Sequence, residues 1–344
     1  MKFPAPDSLI AYLRRWRRWV YAALALLLGA LVVQALHTVV AQISVGQVVE
    51  AVRATPGSAL LLAVAVTTLA YFALTFYDRT ALAHVGVLLP HAVVGKTAFI
   101  AYALSNTIGL GMLTGGAVRL RLYGAAGLEA GVISRVILFN AVGFTVGTTV
   151  VGAAAMVWGS ATAHGLLGVP AALLQALGLG VLLATGWFMV VCWRGAQSVV
   201  FAAGVLRLPS LRVAAQQLLV STVDVVSAAA ALWVLLPPGA VDFAPFVGFF
   251  ALAIALGAIS NVPAGLGVFE AVMLLALGQR IPAEQLAGAL VLFRLIYNLV
   301  PLALGVVWLA ATEWRRGVSK PVQRAANEDI HPADPVAKRQ AEST

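Results

Sequence analysis

Six long stretches of the chain contain no Asp, Glu, Lys or Arg, and this pattern restricts the fold more than any other feature. An α-helix rises about 1.5 Å per residue, so about 20 apolar residues are needed to cross the hydrocarbon core of a bilayer. Each stretch reaches or approaches that length, and the fourth is long enough for two crossings. The pattern predicts an all-α polytopic membrane protein. The stretches are Val20–Val49, Ala54–Tyr77, Thr97–Val118, Val136–Trp193, Phe243–Phe269 and Leu295–Thr312.

The composition excludes a soluble globular protein. Of the 344 residues, 61% are hydrophobic and 10% are charged, whereas soluble domains carry about 25% charged residues. The chain has a formal net charge of +9, and a strongly positive charge is also found in nucleic-acid-binding proteins. Here, however, the basic residues cluster at the ends of the apolar stretches, as in the cytoplasmic loops of membrane proteins. We therefore expect no nucleic-acid partner.

The distribution of basic residues favours one of two topologies. If every apolar segment crosses once, eight crossings result and eight arginines face outward, against the positive-inside tendency. If Lys96–Val118 and Ala244–Gln279 are re-entrant hairpins instead, six full crossings remain and 19 of the 22 Lys and Arg residues lie inside. The count favours six crossings plus two re-entrant hairpins over eight transmembrane segments. Both topologies place the N- and C-termini in the cytoplasm. The predicted crossings are 19–40, 59–77, 136–157, 171–193, 213–236 and 286–311.

Short polar segments flank one transmembrane domain, 19–313. Residues 1–18 form a basic, amphipathic N-terminus that we expect on the cytoplasmic face, with its arginines at lipid phosphates. The first apolar stretch exceeds the roughly 7–15 residues of a signal-peptide core, so we expect an uncleaved anchor. Residues 314–344 are polar and lack an apolar period. They predict a disordered cytoplasmic tail that is too short for a soluble catalytic domain.

The two predicted hairpins share a motif, which consists of Ser-Asn, a short spacer and Gly-Leu-Gly. Each motif is followed, at a similar distance along the chain, by an arginine and an asparagine. These are Arg135 and Asn140 after the first motif, and Arg294 and Asn298 after the second. Glycine and proline interrupt helices, and lipid cannot satisfy the backbone groups that such a break exposes, so protein or water must surround it. The motif residues are Ser105, Asn106, Gly109 and Gly111 in the first hairpin, and Ser260, Asn261, Pro263, Gly265 and Gly267 in the second.

The repeated order of these features indicates an internal duplication with halves at about 19–157 and 171–311. Three crossings separate the hairpins, so they enter the membrane from opposite faces, and this defines an inverted repeat. Secondary transporters use such repeats to build a site near the middle of the bilayer. An alternative is that the glycines simply allow close helix packing. That alternative explains the glycines but not the paired Asn and Arg residues.

Placing an ionisable residue within the membrane costs about 2.5–3.5 kcal/mol on insertion scales, so the presence of each such residue needs a structural or functional explanation. One interpretation is a structural ion pair of Asp224 or Glu270 with Arg294. The other is a polar path for a lipid headgroup or an ion. Arg119 and Arg121 suit a lipid phosphate because guanidinium binds phosphate through two hydrogen bonds, although they can also reach the interface without binding one. Asn106 and Asn261 either support exposed hairpin carbonyls or contact substrate. The candidate path residues are Asp78, Arg119, Arg121, Arg135, Asp224, Glu270 and Arg294.

Two stretches carry a longer motif. The first runs from Tyr77-Asp78-Arg79 through Leu89-Pro90 and Tyr102-Ala-Leu-Ser-Asn106 to Gly115-Gly116-Ala-Val-Arg119-Leu-Arg121-Leu-Tyr123. The second is Pro263-Ala-Gly265-Leu-Gly267-Val-Phe-Glu270. Together they resemble the membrane region of lysylphosphatidylglycerol synthases, the multiple peptide resistance factor family, including its stand-alone YbhN-like relatives, with Ala264 where the family commonly has glycine. In bifunctional members this region resembles a flippase for aminoacylated phospholipid, joined to a synthase domain. The resemblance implies functional importance for Asp78, Arg119 and Arg121.

These observations predict a lipid flippase or translocase of a bacterial cytoplasmic (inner) membrane. We expect no enzymatic activity, because no nucleophile elbow, phosphate-binding loop or paired catalytic carboxylates occur, and we expect no cofactor and no metal site. The expected partners are membrane lipids and a separate lipid synthase, and the Gly-rich spans permit a homo-oligomer. Two alternatives remain open, an ion-coupled carrier of a small solute and a non-transporting scaffold for a lipid-modifying enzyme.

Overall fold

A computed structural model describes residues 45–108, 111–195, 198–201, 204–260, 262 and 265–314. Several predictions fall on other residues and lie outside this part of the chain. They concern the amphipathic segment 1–18, the first crossing at 19–40, the tail from residue 315 onward, and the motif residues Gly109, Asn261 and Pro263.

The described residues are helical apart from one short antiparallel pair of strands, so the helical class is confirmed. The strands, β1 (Ser198–Phe201) and β2 (Gly204–Arg207), pair Ser198 with Arg207 in the loop after the seventh helix. The helices are α1 (Val45–Ala54), α2 (Gly57–His84), α3 (His91–Ile108), α4 (Gly111–Gly124), α5 (Ala130–Trp158), α6 (Ser160–Leu167), α7 (Ala171–Trp193), α8 (Leu211–Trp233), α9 (Phe243–Ile259), α10 (Val268–Leu277) and α11 (Ala283–Phe293), which continues as a π-helix (Arg294–Leu299).

Proline marks the beginning of four helices. Pro56, Pro90, Pro170 and Pro282 immediately precede α2, α3, α7 and α11, and the carbonyl of each accepts the first helical N–H bonds. Proline lacks the N–H group that would be unsatisfied at a helix start, and its fixed φ suits this position. These helix starts can therefore be read from the sequence. Helix α8 begins differently, since the Ser210 hydroxyl accepts a hydrogen bond from the Val213 N–H at 3.4 Å.

Five of the described helices are long and apolar enough to cross a membrane: α2, α5, α7, α8 and the last span, which runs from Ala283 to Trp314 and includes the π-helix. They match five of the six predicted crossings, and the sixth, 19–40, lies outside the described residues. Each span exposes large apolar side chains at the surface of the protein, as expected for a helix that faces lipid on one side and protein on the other. The chain is therefore a multi-pass membrane protein.

Each predicted hairpin is a pair of shorter helices that contact one another. Helices α3 and α4, which end at Ile108 and begin at Gly111, form the first hairpin; α9 and α10, which end at Ile259 and begin at Val268, form the second. In the second hairpin the chain turns sharply, since a side chain at Gly265 would lie 3.1 Å from the Cα of Gly257. Gly265 and Gly267 both adopt positive φ, 61° and 80°, which glycine tolerates without strain.

The two halves of the chain pack against one another in a reciprocal manner. Helices α2 and α8, which match the second predicted crossing of each half, are in extensive contact. Span α5 of the first half packs against α9 of the second hairpin, and Gly152 lies against Ala251. The last span packs in turn against α3 of the first hairpin, where Gly305 lies against Ala103. Each hairpin therefore contacts the final span of the opposite half.

The end of α2 lies beside the beginning of α5. The His84 ring stacks on the Phe139 ring with centroids 4.6 Å apart, and residues from both segments form one buried cluster with Val136 and Leu82. Because α2 and α5 are both long enough to cross a membrane, the segment between them starts and finishes at the same end of the molecule. This is the arrangement that a hairpin requires.

Candidate functional site

A buried ion pair joins α2, α4 and α5. Asp78 is fully buried, and its carboxylate accepts hydrogen bonds from the Arg119 Nε at 2.9 and 3.2 Å and from the Arg119 Nη2 at 2.7 Å. The Tyr123 hydroxyl donates to Oδ2 at 2.7 Å, and the Asn140 Nδ2 donates to Oδ1 at 2.6 Å. Both carboxylate oxygens are therefore satisfied, as a buried charge requires. We name these four residues the Asp78 cluster.

The protein encloses the Arg119 guanidinium on its remaining sides as well. Its carbon lies 4.6 Å from the centre of the Tyr102 ring, a cation–π contact. Gly115, one turn earlier on α4, leaves room for it, since a side chain there would lie 3.1 Å from the Arg119 Nη1. Arg119 is only 4% exposed. In this structure it binds Asp78, so it is not available to a lipid phosphate in the way that the sequence suggested.

A second ion pair connects the second hairpin to the last span. Glu270 Oε1 accepts from the Arg294 Nε at 2.8 Å, and the Arg294 Nη2 lies 2.6 Å from the same oxygen. The other carboxylate oxygen accepts the Gly267 N–H at 2.7 Å, at the start of α10. Glu270 thus fixes the break of the hairpin and ties it to the π-helix. Of the two partners predicted for Arg294, the structure selects Glu270 and not Asp224.

The same π-helix also binds the end of α3 in the first hairpin. The Asn298 Nδ2 donates to the Asn106 carbonyl at 2.9 Å, and the Thr107 hydroxyl donates to the Asn298 carbonyl at 3.1 Å. The Tyr71 hydroxyl of α2 donates to the Tyr297 carbonyl at 3.1 Å. A π-helix departs from the α-helical hydrogen-bond pattern, and such segments occur frequently at functional sites. The segment Arg294–Leu299 therefore contacts both broken hairpins at once.

Asp224 lies apart from both ion pairs. It is 4% exposed in the middle of α8, and the Tyr77 hydroxyl lies 3.4 Å from its Oδ2. The Tyr297 hydroxyl also faces this carboxylate. Within the described residues the three ion pairs leave Asp224 out, so its partners in this part of the chain are hydroxyl groups.

Two of the predicted path residues lie at the exposed surface. The Arg121 side chain is 67% exposed and its Nη2 contacts Glu313 Oε2 at 2.6 Å, which joins the end of α4 to the end of the last span. Arg135 is exposed, and its described hydrogen bond is a local one to the Gly131 carbonyl at 3.4 Å. The structure therefore does not bring Arg135 to the other charges.

The motif serines serve the hairpin helices themselves. The Ser105 hydroxyl donates to the Ala101 carbonyl at 2.8 Å, and the Ser260 hydroxyl donates to the Gly257 carbonyl at 2.7 Å. Gly111 begins α4. Among the residues that the structure covers, no three His, Cys, Asp or Glu side chains come together.

Sequence reasoning missed the tyrosines that surround the acids. Tyr123 was quoted only as part of the family motif, and Tyr77, Tyr71 and Tyr297 were not selected as site residues, although each hydroxyl or carbonyl contributes to the network above. A tyrosine within an apolar span carries a hydroxyl that must find a partner when buried. That requirement is the signal that could have identified them.

Comparisons with known proteins identify one family. The family described as "Lysylphosphatidylglycerol synthase TM region" matches residues 19–305. Uncharacterized protein slr0712 of Synechocystis is 34% identical over 246 residues, which cover 71% of this chain and 76% of that protein. Inner membrane protein YbhN of Escherichia coli K12 is 28% identical over 256 residues, covering 72% of this chain and 78% of YbhN. A phosphatidylglycerol lysyltransferase of Staphylococcus epidermidis is 38% identical over 68 residues, which are 20% of this chain and 8% of that enzyme.

Proposed function

This chain belongs to the family of the lysylphosphatidylglycerol synthase transmembrane region, and we propose that it translocates phospholipids or related amphiphiles between the leaflets of a bacterial inner membrane. The name of the relative YbhN supports the inner membrane as the location. The short match to a phosphatidylglycerol lysyltransferase supports an anionic or aminoacylated phospholipid as substrate. A separate lipid synthase is the partner that such a transporter would need.

The observation that carries this proposal is the meeting of both broken hairpins at the π-helix. Asn298 binds the first break through the Asn106 carbonyl, and Arg294 binds the second hairpin through Glu270. Secondary transporters form their substrate site where broken helices meet near the middle of the membrane. Charged and polar groups at this depth are costly, so a path for a polar headgroup is a reason to keep them.

The proposed topology has six crossings and two re-entrant hairpins arranged as an inverted repeat. The proximity of His84 to Phe139 supports it, since the first hairpin region then returns to the side from which it started. The reciprocal packing of each hairpin on the final span of the opposite half supports the repeat. The two hairpins then approach the centre from opposite faces of the bilayer.

Arg121 is the group that we propose for the first contact with a lipid phosphate. Its guanidinium is exposed, whereas that of Arg119 is enclosed in the Asp78 cluster. Exposed ion pairs are weak because solvent and salt screen them, so a phosphate can replace Glu313 as the partner of Arg121. Arg119 acts as a positioning residue, because its bonds to Asp78 hold α4 against α2.

The test is reconstitution of the purified protein into liposomes that contain a fluorescently labelled phosphatidylglycerol or lysylphosphatidylglycerol. The rate at which the label becomes inaccessible to a membrane-impermeant quencher is compared with that of protein-free liposomes. We expect faster movement with the protein, and slower movement with Arg121→Ala. The matched control is Arg280→Ala, another exposed arginine that lies outside the proposed path. Movement no faster than in protein-free liposomes, for every lipid tried, would reject the proposal.

A second candidate function is an ion-coupled carrier of a small solute. The buried Asp224, whose described partners are hydroxyl groups, favours it, because carriers of this kind place a buried carboxylate near the middle of the membrane. Solute uptake into the same liposomes, with no acceleration of lipid movement, would support the carrier over the translocase.

A further inference from the structure

A line of polar side chains runs along the interface between α5 and α8. Gln217 and Ser221 of α8 fill the spaces beside Gly143 and Gly147 of α5, so closely that a side chain at either glycine would overlap them. Both contacts have the same offset in residue number, so the two helices run parallel and in register. Asp224 follows Ser221 by three residues on α8 and completes the line. We name this interface the α5–α8 seam.

Several polar atoms in and beside the seam have no hydrogen-bond partner among the described residues. Gln217 is only 6% exposed. Neither its Nε2 nor its Oε1 forms a hydrogen bond within the described residues. The same holds for the Asn140 Oδ1 and for the hydroxyl of Thr148, which adjoins Gly147. A buried polar group without a partner costs about 1–3 kcal/mol. An apolar side chain would avoid this cost, so the amide of Gln217 indicates a ligand or water in the seam.

The seam leads from the first turns of α8 to Asp224. Gln217 is the seventh residue of α8, and Asp224 lies seven residues beyond it, which is about 10 Å along the helix axis. Among the residues that the structure covers, the ionisable groups that face Asp224 are tyrosines: Tyr77 and Tyr71 from α2, Tyr297 from the π-helix and Tyr102 from α3. The described helices thus bring hydroxyl groups to this carboxylate, and Arg119 and Arg294 bind other acids.

We propose that Asp224 binds a small cation, H⁺ or Na⁺, which enters through the α5–α8 seam. Within the described residues this buried carboxylate is surrounded by hydroxyl groups and has no balancing positive charge, and a proton or a weakly held metal ion supplies one. The amide and hydroxyl groups of Gln217, Ser221 and Thr148 offer hydrogen-bond partners to water molecules that accompany the cation. If the protein moves lipids as proposed above, this cation is the one coupled to that movement. Only the coupling rests on the proposed function; the binding of a cation at Asp224 does not.

Infrared difference spectroscopy on the purified full-length protein in liposomes tests the binding without any lipid movement. In one arm, the pH is lowered at constant ionic strength, and protonation of Asp224 adds the C=O band of a carboxylic acid. In the other arm, Na⁺ replaces choline at constant pH, and Na⁺ binding shifts the carboxylate stretching band. We expect the wild-type signal in one arm to be lost in Asp224→Asn. The control Asp242→Asn, at an exposed acid before α9, should retain it.

Gln217→Leu keeps the test decisive if Asp224→Asn does not fold. This change removes an amide without partners and fills the same space with apolar atoms, so it should not destabilise the protein. We expect the Asp224 signal to remain in Gln217→Leu but to develop more slowly after rapid mixing. A difference spectrum unaltered by both substitutions, or no response to either cation, would overturn the proposal. Cation binding without lipid movement would instead reject the translocase and leave the Asp224 site intact.

Discussion

The Asp78 cluster allows a quantitative prediction for the substitution Arg119→Met. Methionine keeps most of the length and apolar volume of the arginine side chain but removes its charge. Arg119 supplies three of the five hydrogen-bond contacts that reach the Asp78 carboxylate. After the substitution Asp78 remains fully buried, with only the Tyr123 hydroxyl and the Asn140 amide as donors.

We expect Arg119→Met to lower the free energy of unfolding by about 3–5 kcal/mol, the usual cost of leaving one member of a buried ion pair alone. This corresponds to a change in the unfolding equilibrium of more than about a hundredfold. The double substitution Arg119→Met with Asp78→Leu leaves no buried charge. It should therefore cost less than the sum of the two single substitutions, by up to about 3 kcal/mol.

The measurement is reversible unfolding in mixed micelles, titrated with a denaturing detergent and followed by tryptophan fluorescence. The control is Arg121→Met, two residues further along α4, where the ion pair with Glu313 is exposed and should contribute nothing measurable. Equal losses of stability for Arg119→Met and Arg121→Met would refute the reasoning. So would a double substitution whose cost equals the sum of the single ones.

The remaining predictions concern helix packing and topology. Gly147→Ala should destabilise the protein by about 1–3 kcal/mol through overpacking, because its Cβ would overlap the Ser221 side chain. The control is Gly131→Ala, in open space on the same helix. Equal stability of the two variants would contradict the packing described. Cysteines introduced at Glu129 and at Asp242, both exposed, should react with impermeant reagents from the cytoplasmic and the outer side respectively. The opposite pattern would favour eight crossings.

The long apolar helices could be predicted because each depends on local sequence. A span needs an uncharged apolar stretch of sufficient length, and five described helices provide it. The breaks need glycine, and Gly265 and Gly267 adopt positive φ where the motif placed them. The pairing of Arg294 with Glu270 was one of two possibilities, since both acids lie in the same half of the chain.

The pairing of Asp78 with Arg119 could not be predicted in this way. The two residues are 41 positions apart, and Arg119 follows a hairpin whose direction decides whether it faces lipid headgroups or the protein. Arg121, only two residues later, points to the surface instead. Periodicity alone did not separate them, because the outcome depends on where α2 and α5 pack against α4.

The sequence by itself determined that this chain lives in a bilayer, which stretches form its long apolar helices, and that glycines follow α9 where the backbone takes positive φ. Those properties follow from the transfer of apolar residues into lipid and from the backbone freedom of glycine, and both act locally. Only the tertiary structure decided which charges are paired, that Arg119 is enclosed and Arg121 exposed, and that both hairpins meet at residues 294–299. These properties depend on contacts between residues up to 192 positions apart, which no local pattern encodes.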